Sequence, residues 1–349
     1  MELKELFGEM HLEDLSEGIR SLFPTLELSC EDMLSMLLHG RLFDLVKYFL
    51  HAGTVGFQER LLGARSLFLY LLLLGILGAF LTEYVDLFER FQVGEMGFYF
   101  TYLLQTAILT RCFLGRMEVA RNALGGVVTF VRLLMPTYLF SVGISTGTIT
   151  ASANHEMVLL MIYGVEKVLV GGFLPMIKSF FLLGILEGVH AKDRFDALLE
   201  LMKKGLCWGL KAILGTMAGL SFLQSALTPV LDKLNGSVTR KIIGAIPGIG
   251  DGAEGAMELA ISSAIVIKNG CGVLLMILLA VLCLEPLAEL FAYCVAMKLA
   301  AALAGIVCDK RLTKAMDRAG ETAMLLMGVV AEGMILFLMT LAVTCASVR

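Results

Sequence analysis

The stretch Cys271–Val307, "CGVLLMILLAVLCLEPLAELFAYCVAMKLAAALAGIV", decides the solvent in which this chain folds. An α-helix rises about 1.5 Å per residue and crosses the hydrocarbon of a bilayer in roughly 20 residues. The run is too long for one ordinary span, and Glu285-Pro286 in its middle marks the expected break. Proline removes a backbone N–H and crowds the preceding turn, so the reading here is two spans, or one and a half.

The rest of the chain agrees with that solvent. Of 349 residues, 58% are hydrophobic and only 17% charged, with mean hydropathy +0.82. Soluble domains are about half apolar and about one-quarter charged, so a soluble enzyme is disfavoured. The net charge of −4, from 28 basic and 32 acidic residues, gives a nucleic-acid partner no support. Eight scattered cysteines form no C-x-x-C pair, and the five histidines lack metal-ligand spacing. No cofactor or metal is expected.

Further apolar runs predict spans at Leu67–Leu81, Met96–Leu114, Leu124–Ile144, Met157–Leu186, Leu206–Leu227 and Thr322–Val343. The fold class is therefore all-α: a polytopic membrane protein of about seven transmembrane helices, with amphipathic interfacial or re-entrant helices between them. Residues 1–60 read as an N-terminal amphipathic helical region, and residues 61–349 as the multi-span domain. The run from Met157 contains Glu166-Lys167, Gly171-Gly172 and Pro175, which fits one kinked helix or a span plus a re-entrant segment. "GVHAKDRFDALLELMKKG" reads as an interfacial helix. Basic connectors around Arg116/Arg121, Lys192–Lys204 and Lys310–Arg318, against the acidic "TEYVDLFERFQVGE", place the former in the cytoplasm by the positive-inside rule.

One polar interruption, at about 240–270, reads "KIIGAIPGIGDGAEGAMELAISSAIVIKNG". Its "GDGAEG" has the G-x-G-x-x-G spacing of a dinucleotide turn. No strand–helix alternation surrounds it, and Asp251 and Glu254 would repel a phosphate. The residues fit a helix start better: Asp251 as N-cap, Glu254 completing a capping-box-like pair, Lys268 at the negative end of the dipole, Asn269-Gly270 as terminator. Asp251, Glu254, Glu258 and Ser262 recur at three- and four-residue spacing as one polar stripe. Such a helix lies in the interface or lines a wet conduit.

Two other patterns bear on assembly. Gly205, Gly209, Gly215 and Gly219 form two G-x-x-x-G pairs, the spacing that lets membrane helices pack closely. Arg132, Glu166, Lys167, Glu285 and Glu332 fall within apolar runs, where each costs several kcal/mol against lipid. They are expected to face protein or water, in helix–helix ion pairs or along an aqueous path.

The chain resembles the stage III sporulation protein AE family. The resemblance rests on "AIPGIGDGAEGAMELAISSAIVIKNGCGV", where Ile246, Pro247, Gly250, Lys268, Asn269 and Gly272 occupy the family's I-P-x-x-G turn and K-N element. "KLAAALAGIV", with Ala300–Ala302, resembles its alanine-rich segment, and "MPTYLFSVGISTGTITASA" its proline-containing span. The order of these pieces matches from Arg41 to Val343. Two features depart from the family: a signal-like N-terminal segment, absent here, and a proline after the alanine-rich segment, replaced by "AGIVCD".

The resemblance implies a non-enzymatic, multi-pass subunit of the trans-envelope channel between mother cell and forespore, in the mother-cell membrane around the forespore. Implied partners are other stage III sporulation proteins of the same complex, with membrane lipids around it and a homo-oligomer as a further option. The competing class is an autonomous small-solute or ion transporter. An intramembrane hydrolase has neither H-E-x-x-H nor G-x-S-x-G behind it.

Overall fold

The computed structural model describes residues 36, 41, 44, 47, 48, 63, 65–80, 91–146, 159–189, 195–243, 250–306 and 308–347, with the side chains of 91–95, 134–146, 189, 221, 223–243, 250–269, 271 and 343–347 outside that description. The expected N-terminal amphipathic region and the Ile246-Pro247 turn fall almost wholly outside these residues. Among the described residues the chain is entirely helical, with no strand. In chain order the helices are α1 (Arg65–Phe80) and α2 (Phe91–Thr146). Next come α3 (Leu159–Gly188) and α4 (Asp196–Ile243), then α5 (Gly250–Ala304) and α6 (Lys310–Ser347).

Among the described residues three helices are long and apolar enough to cross a membrane: α3, α5 over Gly272–Ala304, and α6 over Lys310–Ala342. α1 is apolar but shorter. About seven spans were expected, and these three are the ones that meet that measure among the described residues. Where the sequence suggests breaks, the helices continue. Met96–Leu114 and Leu124–Ile144 belong to one 56-residue helix, α2, because charge alone does not stop a helix and "GRMEVARNA" is rich in helix formers. The expected interfacial helix and the span that follows it are likewise one helix from Asp196 onward. α5 runs through both Asn269-Gly270 and Pro286. A glycine ends a helix only if the residues beyond it can leave, and here they are "CGVLLMILL", whose backbone must be satisfied internally in hydrocarbon.

α6 is the central helix, packed on α2, α3, α4 and α5, most extensively on α5. Contacts fix the directions. Gln105 of α2 donates to the Leu312 carbonyl at the start of α6, and the Tyr102 hydroxyl donates to the Ile185 carbonyl at the end of α3. Hence α2, α4 and α6 run one way and α3 and α5 the other. The end where α3 meets α4 and α5 meets α6 is called the base below. Arg311 lies 3.6 Å over the Phe98 ring, so the first turns of α2 meet the bundle at the same end as the basic start of α6.

The core is aromatic and aliphatic. Tyr102, Phe113, Phe130, Phe180, Phe181 and Phe337 are fully buried. Phe113 of α2 stacks on Phe181 of α3 with ring centroids 4.1 Å apart, a geometry that adds about 1 kcal/mol beyond burial.

One departure from α geometry stands in the middle of α3. Leu169–Phe173, "LVGGF", forms a π turn, in which the N–H of Leu174 reaches back to the Leu169 carbonyl. Pro175 lies immediately beyond and has no N–H to give the Gly171 carbonyl. Of the two readings open for this run, the structure takes the single continuous helix, with the wide turn where a kink was expected.

Candidate functional site

The densest polar constellation sits at the base. Asp196 opens α4, where the positive end of the helix dipole favours a carboxylate. Its oxygens accept from Lys314 Nζ at 2.9 Å and Arg318 Nη2 at 2.5 Å. Glu187, near the end of α3, is 2% exposed and faces the same two cations, at 3.4 Å from Lys314 and 3.7 Å from Arg318. Arg318 Nη1 also donates to Glu321 at 2.8 Å, and Lys203 of α4 donates to the other oxygen of Glu321 at 2.7 Å. Three carboxylates and three cations thus join α3, α4 and α6.

Two further facts give the network its character. A Cβ on Gly184 would lie 3.3 Å from the Arg318 Cβ, so the glycine lets Arg318 cross the face of α3. The Lys314 hydrogen bond, with Arg318 nearby, holds the Asp196 carboxyl below the usual carboxylate range. A buried pair of this kind adds little net stability over an apolar replacement, but removing one partner strands the other charge. The matched charges therefore fix which faces of three helices meet.

Deeper in the bundle, Arg116 of α2 pairs with Glu289 of α5 and lies 5.8 Å from the Tyr293 ring centroid. Lys298 of α5 pairs with Asp317 of α6 at 2.6 Å. Arg116 is thus a bundle residue, not part of a connector. Among the described residues no group of three or more His, Cys, Asp or Glu is placed to hold a metal ion.

The residues singled out from sequence are spread along the fold. Asp251, Glu254, Glu258 and Ser262 lie in the first turns of α5, and their side chains are outside the description, as are those of Lys268 and Asn269. Gly250 begins α5, so Asp251 stands inside the first turn, and Gly272 is buried. Arg132, Lys167 and Glu285 are exposed on the bundle, and Glu166 is half-buried. Glu332 is half-buried, with Oε1 enclosed and without a hydrogen-bond partner.

The four glycines of α4 divide. A Cβ on Gly209 would lie 2.9 Å from the Phe173 ring, whereas among the described residues nothing comes within 4 Å at Gly205, Gly215 or Gly219. Among the described residues, Gly209 is the one of the four with a close neighbour on another helix. The outward three share an exposed face with Trp208 and Leu201.

Sequence reasoning missed Glu187, Asp196 and Glu321 as partners, having taken Lys310–Arg318 for a connector. The available signal was Lys314, Arg318 and Glu321 recurring at four- and three-residue spacing, one face of a helix.

Comparison with known proteins follows this geometry. The family model described as stage III sporulation protein AE matches residues 28–348. A curated relative from Bacillus subtilis (strain 168), named "Stage III sporulation protein AE", is 22% identical over 234 residues. That covers 67% of this chain, and the chain spans 59% of that relative's length. No solved structure matches.

Proposed function

This chain belongs to the stage III sporulation protein AE family, and from that premise we propose that it is a non-enzymatic membrane subunit of a sporulation complex. In this reading it sits in the mother-cell membrane around the forespore, assembled with other stage III sporulation proteins into a trans-envelope channel. The observation that carries the reading is the family match across residues 28–348, in a chain with three helices long and apolar enough to span a membrane. The base network supports a structural role, since its carboxylates and cations are matched to one another across three helices. The polar stripe of Asp251, Glu254, Glu258 and Ser262 is the proposed wet face.

Replacing the gene in a spore-forming host with a deletion should abolish late forespore gene expression. Cross-linking from the intact chain should recover other stage III proteins. Single cysteines at positions 251, 254 and 258 should react with a water-soluble thiol reagent; full protection at all three would remove the conduit. The competing reading is an autonomous transporter. Solute flux through liposomes holding the purified chain alone would put that reading first.

A further inference from the structure

We propose that this bundle bends at one layer, set by the π turn of α3 and Pro286 of α5, while its base stays locked. The layer follows from contacts between helices. On α3 and α6 the antiparallel register is fixed by Gly184 against Arg318, and it carries through to Leu169 against Gly333. On α5 and α6, Lys298–Asp317 and Cys294–Gly320 set a register that brings Leu282 opposite Glu332. Leu282 is the residue whose carbonyl Pro286 leaves without its helical donor. The π turn supplies the equivalent fault on α3, where Pro175 leaves the Gly171 carbonyl in the same state.

Helix kinks arise at prolines and π turns because the ladder that resists bending is interrupted there. Two antiparallel helices interrupted at one height bend together; interrupted at different heights, each would splint the other. The base has the opposite construction. The charge network, Arg116–Glu289, Lys298–Asp317 and the Tyr102 hydroxyl bond all lie on the base side of the layer. Apart from Glu332, whose Oε1 is enclosed without a hydrogen-bond partner, the packing at the layer is apolar: Leu124 and Leu169 crowd Gly333, with Phe337 behind them. This inference goes beyond the sporulation reading and concerns the chain by itself, so its test needs no partner.

The test compares two matched pairs on α2 and α3. Leu104 and Leu186 face outward on the base side; Leu133 and Leu160 face outward beyond the layer. Nitroxides placed at each pair through an encoded keto amino acid leave the eight cysteines untouched. In full-length protein in lipid nanodiscs, pulsed dipolar distance distributions should be about twofold broader, or bimodal, for the outer pair. Deleting Gly171, which returns the turn to α geometry, should narrow the outer pair to the width of the base pair. If that variant does not fold, Pro175→Ala should produce the same narrowing. Equal widths for both pairs in the unmodified chain, or no narrowing in a folded variant, overturn the proposal.

Discussion

At the base of the bundle, Arg318 touches three carboxylates on three helices; near the π turn, Glu332 has an enclosed oxygen and no hydrogen-bond partner. Both regions bring acidic side chains in among apolar helices. In the first, the charge is spent on specifying which helix faces meet. In the second, shape alone does the specifying, through large side chains packed onto Gly333. The difference teaches that a charge in an apolar run has no fixed meaning until its partners are known. Lipid penalises both groups, but only one of them becomes a structural tie.

The most forceful way to break this comparison is to remove its hub. Arg318→Ala leaves Glu187, Asp196 and Glu321 with only Lys314 and Lys203 against them and should cost about 3–5 kcal/mol, read as lost thermal stability of purified protein in detergent. A loss under about 1 kcal/mol would reduce the network to surface decoration.

A smaller effect comes from crowding. Gly209→Leu drives a side chain into the Phe173 ring and should destabilise by about 1–3 kcal/mol. Gly215→Leu meets nothing within the chain and should leave its stability unchanged, while any partner packed on that face would reveal itself by lost assembly.

Acid titration sharpens the electrostatic half. The Asp196 carboxyl titrates lower in the folded chain than in the unfolded one. It therefore contributes stability above the unfolded value of about 3.9, and that contribution is lost as pH falls through the folded value. Below about pH 4, Asp196→Asn should flatten the stability loss relative to the parent; identical acid limbs would show that the hydrogen bonds from α6 are not felt.

The smallest change is expected at Glu332. Glu332→Gln breaks no ion pair and should shift stability by no more than about 1 kcal/mol, toward gain if at all. A large loss would mean that a partner holds this carboxyl after all.

How much of this was legible beforehand depends on the kind of signal. Helical class and membrane solvent follow from long apolar runs, because backbone satisfaction in hydrocarbon leaves few alternatives. Breaks were misread at Asn269-Gly270, at Glu285-Pro286 and around Arg116, where local signals argued for an end and the surrounding burial argued for continuation. Gly171-Gly172 and Pro175 did mark the irregular turn of α3. The base network was invisible as a network, since Arg318 stands 122 residues from Asp196 and meets it and Glu187 only through the packing of α3 and α4 on α6. Of the α4 glycines, spacing gave the periodicity and could not say that Gly209 alone faces inward.

α5 runs unbroken from Gly250 to Ala304, and only Gly272–Ala304 is the apolar part. At about 1.5 Å per residue, the portion from Leu282 to Gly250 is an arm of roughly 50 Å. A tilt of about 10° at Pro286 would sweep its tip through some 8 Å, by the same helical rise. Asp251 and Glu254 ride at that tip. A small angular change inside the bilayer would thus be geared up into a displacement wider than a side chain, delivered to the most acidic end of the arm.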